Sequence, residues 1–158
     1  MSVVRSKAEV DRRIAEGLEA EAKGEAYAFA VILKEGGRIV GSTSYLTISS
    51  KHKRAEIGST WYVRDVWGTV VNPESKYLLL KHAFKDWGAV RIQLVTDIEN
   101  IHSQKAILKL GAKFEGTLRN YGVRPDGSPR EGVHIYSIVA SEWPAVKLQL
   151  ESRLRRFR

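Results

Sequence analysis

Residues 97–112 read DIENIHSQKAILKLGA, a stretch that combines the end of an apolar strand, a polar loop and a short helix. Asn100 is a plausible N-cap for this helix, which we expect over residues 100–110, and Gly111 is placed to end it. Ser103 would then project from the first helical turn. A strand that leads directly into a helix in this way is typical of a sheet that is covered by helices.

A second connection between a strand and a helix lies upstream, where residues 65–72 read DVWGTVVN and Pro73 follows. Asn72 and Pro73 predict the start of a helix, with the proline at the first helical position. A helix N-terminus presents unpaired backbone N–H groups and the positive end of the helix dipole, which together suit a phosphate or pyrophosphate. Gly68 would let the backbone turn and approach an anion closely. An ordinary loop is the alternative, and the local sequence leaves both interpretations open.

The beginning of the chain predicts a helix followed by a strand. Ser6 and Glu9 resemble a capping box, and an apolar stripe at helical spacing follows, so residues 6–22 should form an amphipathic helix. The stripe consists of Val10, Ile14 and Leu18. Residues 26–33 are small or apolar throughout, a pattern that favours a strand covered on both faces.

The remaining segments alternate between strands and helices. Glycines within residues 35–38 predict a tight hairpin turn, and residues 124–127 predict a second turn. The expected strands are residues 38–48, 55–63, 91–96, 112–121 and 132–140, and the expected helices are residues 72–88, 100–110 and 143–157. We therefore expect a single domain over residues 1–158, of the α/β (α+β) class, with a mixed, mostly antiparallel central sheet flanked by helices.

The composition is that of an ordinary globular protein, with 43% apolar and 28% charged residues. No run approaches the roughly 20 apolar residues that a membrane helix requires, and the N-terminus becomes charged before the core of a signal peptide could form. We expect a cytoplasmic protein with no membrane partner. The formal net charge of +8 favours an anionic partner, and three explanations stay open: a phosphate-rich cofactor, nucleic-acid surroundings, or solubility alone.

Residue types that are missing or scattered limit the chemistry. The chain has no cysteine, which excludes a disulfide, a thiolate zinc site and a cysteine acyl-enzyme. Its four histidines lie far apart in the sequence, so we expect no metal site, and we expect His102 to be a surface residue. Catalysis would therefore use carboxylates, hydroxyls, backbone amides and a bound cofactor.

Several blocks of sequence occur together in a characteristic order. The spacing Asp97-x-x-Asn100-x-x-Ser103 is followed by Leu110-Gly111-Ala112 and by EGTLR at residues 115–119. The other blocks are Glu56-Ile57-Gly58, residues 72–84 and SEWP at residues 141–144. Together they resemble the GNAT superfamily of N-acetyltransferases, in the branch that acetylates the N-termini of ribosomal proteins (RimJ/RimL-like). The resemblance covers residues 26–148.

The resemblance implies a binding site for acetyl-CoA, the acyl donor, in an opening between the third and fourth strands. It places the pantetheine arm against Trp61, Tyr62 and Val63, and the pyrophosphate against Trp67, Gly68, Thr69, Val70, Val71 and Asn72. Asn100, Ser103 and Lys105 would line the thiol and nucleotide ends. The acyl acceptor would be a primary amine: a protein or peptide N-terminus, or a small-molecule amine. An α-amine has a reference pKa near 8 and is partly neutral at pH 7, whereas a lysine near 10.4 is almost wholly charged.

The resemblance also suggests catalytic residues, each with a structural alternative. Glu56 is the candidate general base, acting through water, although a solvent-facing strand glutamate is an equal interpretation. Ser103, or else Tyr136, could donate a proton to the departing thiolate. The alternatives are that Ser103 only orients the thioester and that Tyr136 only packs in the closing strand. A backbone N–H near Val63 would hold the oxyanion.

Two departures from the family pattern bear on activity and assembly. The loop at residues 67–72 lacks the glycine-rich Gln/Arg-x-x-Gly-x-Gly/Ala signature, and the family's first strand and helix have no counterpart before Ser6. The strand at residues 26–33 would then lie at an exposed sheet edge, which invites pairing with another chain. We therefore expect a homodimer, through this edge or through residues 112–140. The alternative is a monomer in which residues 1–5 fold back along the edge.

A different function class competes with the enzyme. A shortened fold of this family could bind acyl-CoA without catalysis, or could associate with RNA or the ribosome through its arginine-rich end. That end contains Arg153, Arg155, Arg156 and Arg158. A solvated helix end explains the same arginines, and no aromatic stacking motif supports the RNA interpretation.

Overall fold

A computed structural model describes residues 7–124 and 127–157 of the chain. The helices are α1 (Lys7–Ala22), α2 (Val71–Lys81), α3 (Ile101–Leu108) and α4 (Trp143–Arg155). The strands are β1 (Tyr27–Ile32), β2 (Ile39–Ser49), β3 (Arg54–Tyr62), β4 (Arg91–Asp97), β5 (Lys113–Arg119) and β6 (Gly132–Val139). A single 3₁₀ turn (Arg64–Val66) precedes α2, and a π-helical turn (His82–Asp86) follows it. None of the described helices has the length and apolar character needed to span a membrane.

The six strands form one sheet in the order β1-β2-β3-β4-β6-β5. Every neighbouring pair is antiparallel except β3 and β4, which are parallel. The expected fold class, a mixed and mostly antiparallel sheet flanked by helices, is therefore confirmed. The parallel pair requires a crossover through α2, and such a crossover carries the chain from the carboxyl end of one strand into a helix N-terminus.

The parallel pair β3 and β4 separates soon after it begins. The two strands are paired only from Arg54 and Arg91 to Glu56 and Gln93. Beyond that point β3 stays with β2 as far as Tyr62, and β4 stays with β6 as far as Asp97. Because each strand keeps its outer neighbour and loses its inner one, the centre of the sheet opens into a V.

A bulge lies in β3 along one side of this opening. The β2–β3 register shifts between the pairs Ser42–Trp61 and Ser44–Gly58, and Ser59 adopts a positive φ of 47°. A bulge inserts an extra residue and turns the following side chains. Thr60 is thereby directed toward the side of the sheet that α2 covers, where it contacts that helix.

The hydrophobic core fills the space between the sheet and helices α2, α3 and α4. Its most buried large side chains are Leu80, Ile92, Leu110, Ile138 and Leu150. Each contributes about 1.5–3 kcal/mol of burial free energy relative to an exposed side chain. Side chains alternate along a strand, so Glu56, which lies between the core residues Ala55 and Ile57, is on the opposite face.

Helix α2 begins two residues before Pro73, the expected first helical position. Its first residue is Val71, so Pro73 is the third helical residue and not the first. A proline is still tolerated there, because the first backbone N–H groups of a helix have no intrahelical acceptor. Tyr77, Phe84 and Trp87 pack against the edge of the core, as the spacing predicts.

The expectation that β1 is covered on both faces is wrong. Tyr27, Phe29 and Ile32 remain 42%, 40% and 54% exposed. Helix α1 lies next to β1, yet the exposed fractions of Ile14 and Leu18 are 55% and 61%. Small and apolar residues do not by themselves ensure burial, because the covering element must also be present.

The glycines at the expected chain reversals have the backbone conformation that such turns require. Gly36 and Gly37 adopt positive φ angles of 75° and 65° in the expected hairpin turn, and Gly111 follows α3 with a φ of 92°. The proposed capping residue Ser6, residues 1–5, and Pro125 and Asp126 of the second expected turn lie outside the described residues.

Candidate active site

The V-shaped opening in the sheet is bordered by the last residues of β3. Trp61 is 47% exposed, and Tyr62 and Val63 are half-buried. The N–H group of Val63 donates to the carbonyl oxygen of Val40 at 2.9 Å. This N–H group is therefore engaged, and an oxyanion donor near Val63 has to be an N–H group of β3 itself.

The loop that follows β3 is held by its own hydrogen bonds. The indole Nε1 of Trp67 donates to the carbonyl of Tyr62 at 2.9 Å, and Thr69 Oγ1 donates to the carbonyl of Val66 at 2.7 Å. Thr69 Oγ1 also accepts from the N–H group of Val71 at 3.3 Å. These bonds fix the shape of the loop without any bound partner.

Three N–H groups of this loop and of the first turn of α2 have no acceptor among the described residues. They belong to Gly68, Val70 and Asn72. Gly68 has a φ of +75°, and no heavy atom lies within 4 Å of the position that a Cβ atom would take. Unpaired donors beside open space at the positive end of a helix suit a phosphate group. The chain therefore fits an anionic, phosphate-containing ligand at this point.

The start of α3 lies beside the same loop. The His102 ring is exposed, as expected, and its centroid is 6.0 Å from that of Trp67, with the planes tilted by 30°. Asn100 caps the helix, because its Oδ1 accepts from the N–H group of Ser103 at 3.0 Å. Ser103 is half-buried and Lys105 is exposed. The structure thus places the loop expected to bind the pyrophosphate next to α3, the helix whose residues are expected to line the thiol and nucleotide ends of the donor.

The carboxyl group of Glu56 lies on the sheet face opposite the core. Burial raises the pKa of Glu56 above its usual range, and a hydrogen bond from Gln93 opposes that shift. Gln93 Nε2 donates to Glu56 Oε2 at 3.3 Å. A carboxylate whose pKa is raised is a stronger base than an exposed one, which suits a general base.

Gln93 is itself held by a chain of polar residues on this face. Arg91 donates to Gln93 Oε1 at 3.3 Å and to the two carboxylate oxygens of Glu115 at 2.6 and 2.5 Å. Ser137 Oγ also donates to Glu115, at 2.6 Å. The bonds from Arg91 and Ser137 hold the pKa of Glu115 low, at about 2. Because a guanidinium group only donates, it fixes the Gln93 oxygen toward Arg91 and leaves the NH₂ group to face Glu56.

Tyr136 lies apart from Glu56. In the register, Gln93 faces Ser137, so the next residue, Tyr136, points to the core face. Its side chain is 3% exposed and packs against Phe114 and His134, and burial raises its pKa. The structure therefore does not bring together the two residues expected as base and acid.

A polar cluster on the core face was not anticipated from the sequence. Lys76 is only 5% exposed, and its ammonium group contacts the hydroxyls of Thr43 and Thr60. The signal that could have identified it is helical spacing, since Lys76 precedes the buried Leu80 by four residues and so shares its face.

Comparison with known proteins gives consistent results. A family model described as an acetyltransferase (GNAT) domain matches residues 1–113. Two curated relatives, the uncharacterized N-acetyltransferases p20 of Bacillus licheniformis and YoaA of Bacillus subtilis (strain 168), are each 31% identical over 99 and 101 residues. These alignments cover 63% and 64% of this chain and 55% of each relative. The chain thus spans about half the length of the curated relatives that it matches.

Solved structures extend the similarity across most of the chain. A protein assigned as an acetyltransferase from T. thermophilus is 34% identical, with a TM-score of 0.85, covering 96% of this chain and 77% of its own. A protein assigned as a ribosomal-protein-serine acetyltransferase from Vibrio cholerae is 25% identical, with a TM-score of 0.73, covering 85% and 75%. RimJ of Mycobacterium smegmatis, in complex with CoA-disulfide, shares the fold at 19% identity, with a TM-score of 0.76, covering 92% and 68%.

Proposed function

The chain belongs to the GNAT acetyltransferase family, and from that premise we propose that it binds acetyl-CoA and transfers the acetyl group to a primary amine. The observation that carries this proposal is the set of unpaired N–H groups of Gly68, Val70 and Asn72, at the start of α2 and beside the V-shaped opening. Phosphate groups of the acyl donor would accept from these N–H groups. The pantetheine arm would follow the exposed side of β3 near Trp61.

The other proposed donor-binding residues surround these N–H groups. Trp67, Thr69 and Val71 shape the loop through the hydrogen bonds described above, and Tyr62 and Val63 end the strand that enters it. Ser103 and Lys105 face the donor from α3. Asn100 contributes by fixing the start of α3, since its side-chain oxygen is engaged in the cap.

The proposed reaction is direct attack by a neutral amine. The amine nitrogen bonds to the thioester carbonyl carbon, the carbon–sulfur bond breaks, and the sulfur leaves with its electron pair. Glu56 accepts the proton that the amine loses, through a water molecule, which its half-buried position and raised pKa favour. Ser103 is the proposed proton donor to the sulfur, because it is partly accessible at the start of α3, whereas Tyr136 is almost fully buried. The proton that Glu56 took up returns through water to Ser103, so the net products are the amide and the free thiol.

The proposed acceptor is a protein or peptide N-terminus. An α-amine has a reference pKa of about 8, so a useful fraction is already neutral at pH 7, and a single half-buried carboxylate is a sufficient base for it. A lysine side chain would require a much stronger shift. The similarity to a protein assigned as a ribosomal-protein-serine acetyltransferase supports the same class of acceptor.

We further propose that the chain forms a homodimer through the β1 edge. Tyr27, Phe29 and Ile32 expose apolar surface on β1, and Ile39 on β2 is 61% exposed. Among the described residues β1 pairs with β2 alone, so its other edge offers unpaired backbone groups. A second copy of the chain would cover the exposed apolar side chains and pair with the backbone groups of the β1 edge.

The proposed binding is tested by thermal unfolding with acetyl-CoA. A ligand at 100 times its Kd stabilises the folded state by about 2.7 kcal/mol, so millimolar acetyl-CoA should raise the melting temperature. Pantetheine, which lacks the pyrophosphate, is the control and should have a much smaller effect. An unchanged melting temperature would contradict the proposed binding of acetyl-CoA. Transfer is then followed by mass spectrometry on peptides that present either a free N-terminus or only a lysine amine, with the N-terminal peptide expected as the better acceptor.

A further inference from the structure

The ammonium group of Lys76 is buried between a helix and two strands. Lys76 Nζ donates to Thr43 Oγ1 on β2 at 2.7 Å and to Thr60 Oγ1 on β3 at 2.5 Å. The two threonine hydroxyls are 2.9 Å from each other. The three side chains therefore form a closed triangle that links α2 to both strands.

This lysine has no counter-charge. Among the residues that the structure describes, no carboxylate lies within ion-pair distance of its ammonium group, and burial lowers its pKa from 10.5 to about 7. The titratable side chains that flank the two threonines on the same face are Tyr45 and Tyr62, and burial raises the pKa of both, so they stay neutral. A small change in the local potential therefore shifts the protonation of Lys76 near neutral pH.

The triangle lies beneath the proposed donor site. Thr60 directly follows the bulge residue Ser59 and precedes Trp61, so it belongs to the part of β3 that borders the opening. Lys76 is five residues beyond Val71, or about 7.5 Å along the axis of α2, and helical side chains lean toward the N-terminus. The Lys76 side chain thus contacts β3, the strand that borders the donor site. Its residue lies about one and a half helical turns from the N-terminus of α2, where the phosphates are proposed to bind.

We propose that Lys76 is a positioning residue of the donor site, a buried amine that ties α2 to the β3 bulge and becomes a cation by taking up a proton when the phosphates of the donor bind. The inference rests on the proposed function only in requiring that CoA binds at the start of α2. Negative charge at that helix end favours the protonated lysine, and by linkage the protonated lysine favours the bound anion. The charged lysine donates more strongly to the two threonines and so fixes the distance between β3 and α2.

The test is isothermal titration calorimetry with CoA at pH 8, in two buffers of different ionisation enthalpy. The wild-type chain is expected to take up a large fraction of one proton for each CoA bound. Phosphate monoesters have their second pKa near 6, so the ligand itself contributes little exchange at this pH. Between pH 7.5 and 9 the Kd of the wild-type chain should rise with pH, approaching a tenfold change per pH unit.

Two substitutions test the positive charge at position 76 and the uptake of a proton there separately. Lys76→Arg keeps the charge at every pH used, so it should bind CoA with no proton uptake and with a Kd that no longer depends on pH. Lys76→Met removes the charge and should bind CoA more weakly, also without uptake. A purely structural role would not change proton uptake, so this readout distinguishes the two roles.

The outcomes are distinct. Absence of CoA binding by the wild-type chain would overturn the proposed function itself. Binding with equal proton uptake by wild type and Lys76→Arg would overturn only the role of Lys76. If neither Lys76 variant folds, Thr60→Val is the substitute: it removes one acceptor of the charged lysine and should move the pH range of proton uptake downward, and an unchanged range would contradict the proposal.

Discussion

At the scale of single residues, two titratable side chains lie near the opening on opposite faces of the sheet. Glu56 lies on the open face and Lys76 on the core face, and burial disfavours the charged form of each. The consequences differ because their partners differ. Glu56 receives a hydrogen bond from an amide that Arg91 orients, whereas Lys76 has only neutral hydroxyls.

Replacing Gln93 by leucine should shift the pH dependence of acetyl transfer. The hydrogen bond from Gln93 lowers the pKa of Glu56, so its removal leaves burial unopposed and raises that pKa further. A larger fraction of Glu56 is then protonated at neutral pH, and the acidic limb of the kcat profile moves to higher pH. The measurement is kcat against pH for Gln93→Leu.

Glu56→Gln provides the reference for that experiment. It should lower kcat by roughly 10²–10⁴-fold, the usual effect of losing a general base, while the Kd for CoA stays the same. In this background Gln93→Leu should have no further effect on the pH profile. A full effect of Gln93→Leu in the absence of the Glu56 carboxyl would show that the amide does not act through Glu56.

Lys76 also predicts a pH dependence of stability. In the folded chain its pKa is about 7, against 10.5 as its ordinary value, so between these values the unfolded chain binds more protons. Stability therefore rises with pH through this interval, by up to about 1.4 kcal/mol per pH unit for one proton. The unfolding free energy is measured by denaturant titration at several pH values between 7.5 and 9.5. Its increase per pH unit should be smaller by this amount in Lys76→Met than in the wild-type chain. Equal slopes would contradict burial of a titrating lysine.

At the scale of elements, the loop before α2 and the start of α3 form one unit. Each follows the carboxyl end of a parallel strand, so the two helix N-termini lie on the same edge of the sheet. The contact between Trp67 and His102 joins them. Phosphate binding at one N-terminus is therefore expected to order the other.

Gly68→Ala should weaken CoA binding more than its cost in stability explains. Alanine at φ +75° is strained by about 1–2 kcal/mol, and its methyl group would enter the open space beside the unpaired N–H groups. Gly88→Ala is a matched control, because Gly88 has a similar φ of +67°, no neighbouring atom within 4 Å, and a place just before β4, at the other end of that strand from α3. Both variants should lose similar unfolding free energy, and only Gly68→Ala should raise the Kd for CoA. An equal effect of the two on Kd would argue against a phosphate site at this loop.

At the scale of the whole molecule, the two ends of the sheet differ. Near the β5 side the C-terminal helix is tied to α3, because Arg153 donates to the carbonyl of Lys109 at 3.0 Å. One arginine of the basic end thus has an internal role, which favours a structural explanation over RNA binding. The β1 side instead exposes apolar side chains at an edge.

Light scattering over a concentration series tests the proposed dimer. We expect a mass of twice 17.8 kDa, and Ile32→Lys should shift it to the monomer by placing a charge on the exposed face of β1. Leu148→Lys is the control, since Leu148 is 65% exposed on α4 and away from this edge. A mass of 17.8 kDa at every concentration would rule the dimer out.

Much of the architecture and part of the site could be predicted from the amino-acid sequence alone. The positions of the helices and strands agree within a few residues, Asn100 caps α3, and Gly36, Gly37 and Gly111 adopt the expected positive φ angles. The loop at residues 65–72 also ends at a helix N-terminus, as its sequence indicates. These features depend on interactions between residues that are close in the chain, and a local pattern is enough to predict them.

The tertiary structure alone showed the hydroxyl partners of Lys76, the exposure of β1 and the separation of Tyr136 from Glu56. Lysine is a residue type that usually lies on the surface. The partners of Lys76, Thr43 and Thr60, lie 33 and 16 residues away along the chain. The unpaired state of three N–H groups likewise depends on what surrounds the loop. Burial, and with it the direction of each pKa shift, is set by neighbours brought together by the sheet, so these properties follow from distance in space and not from distance along the chain.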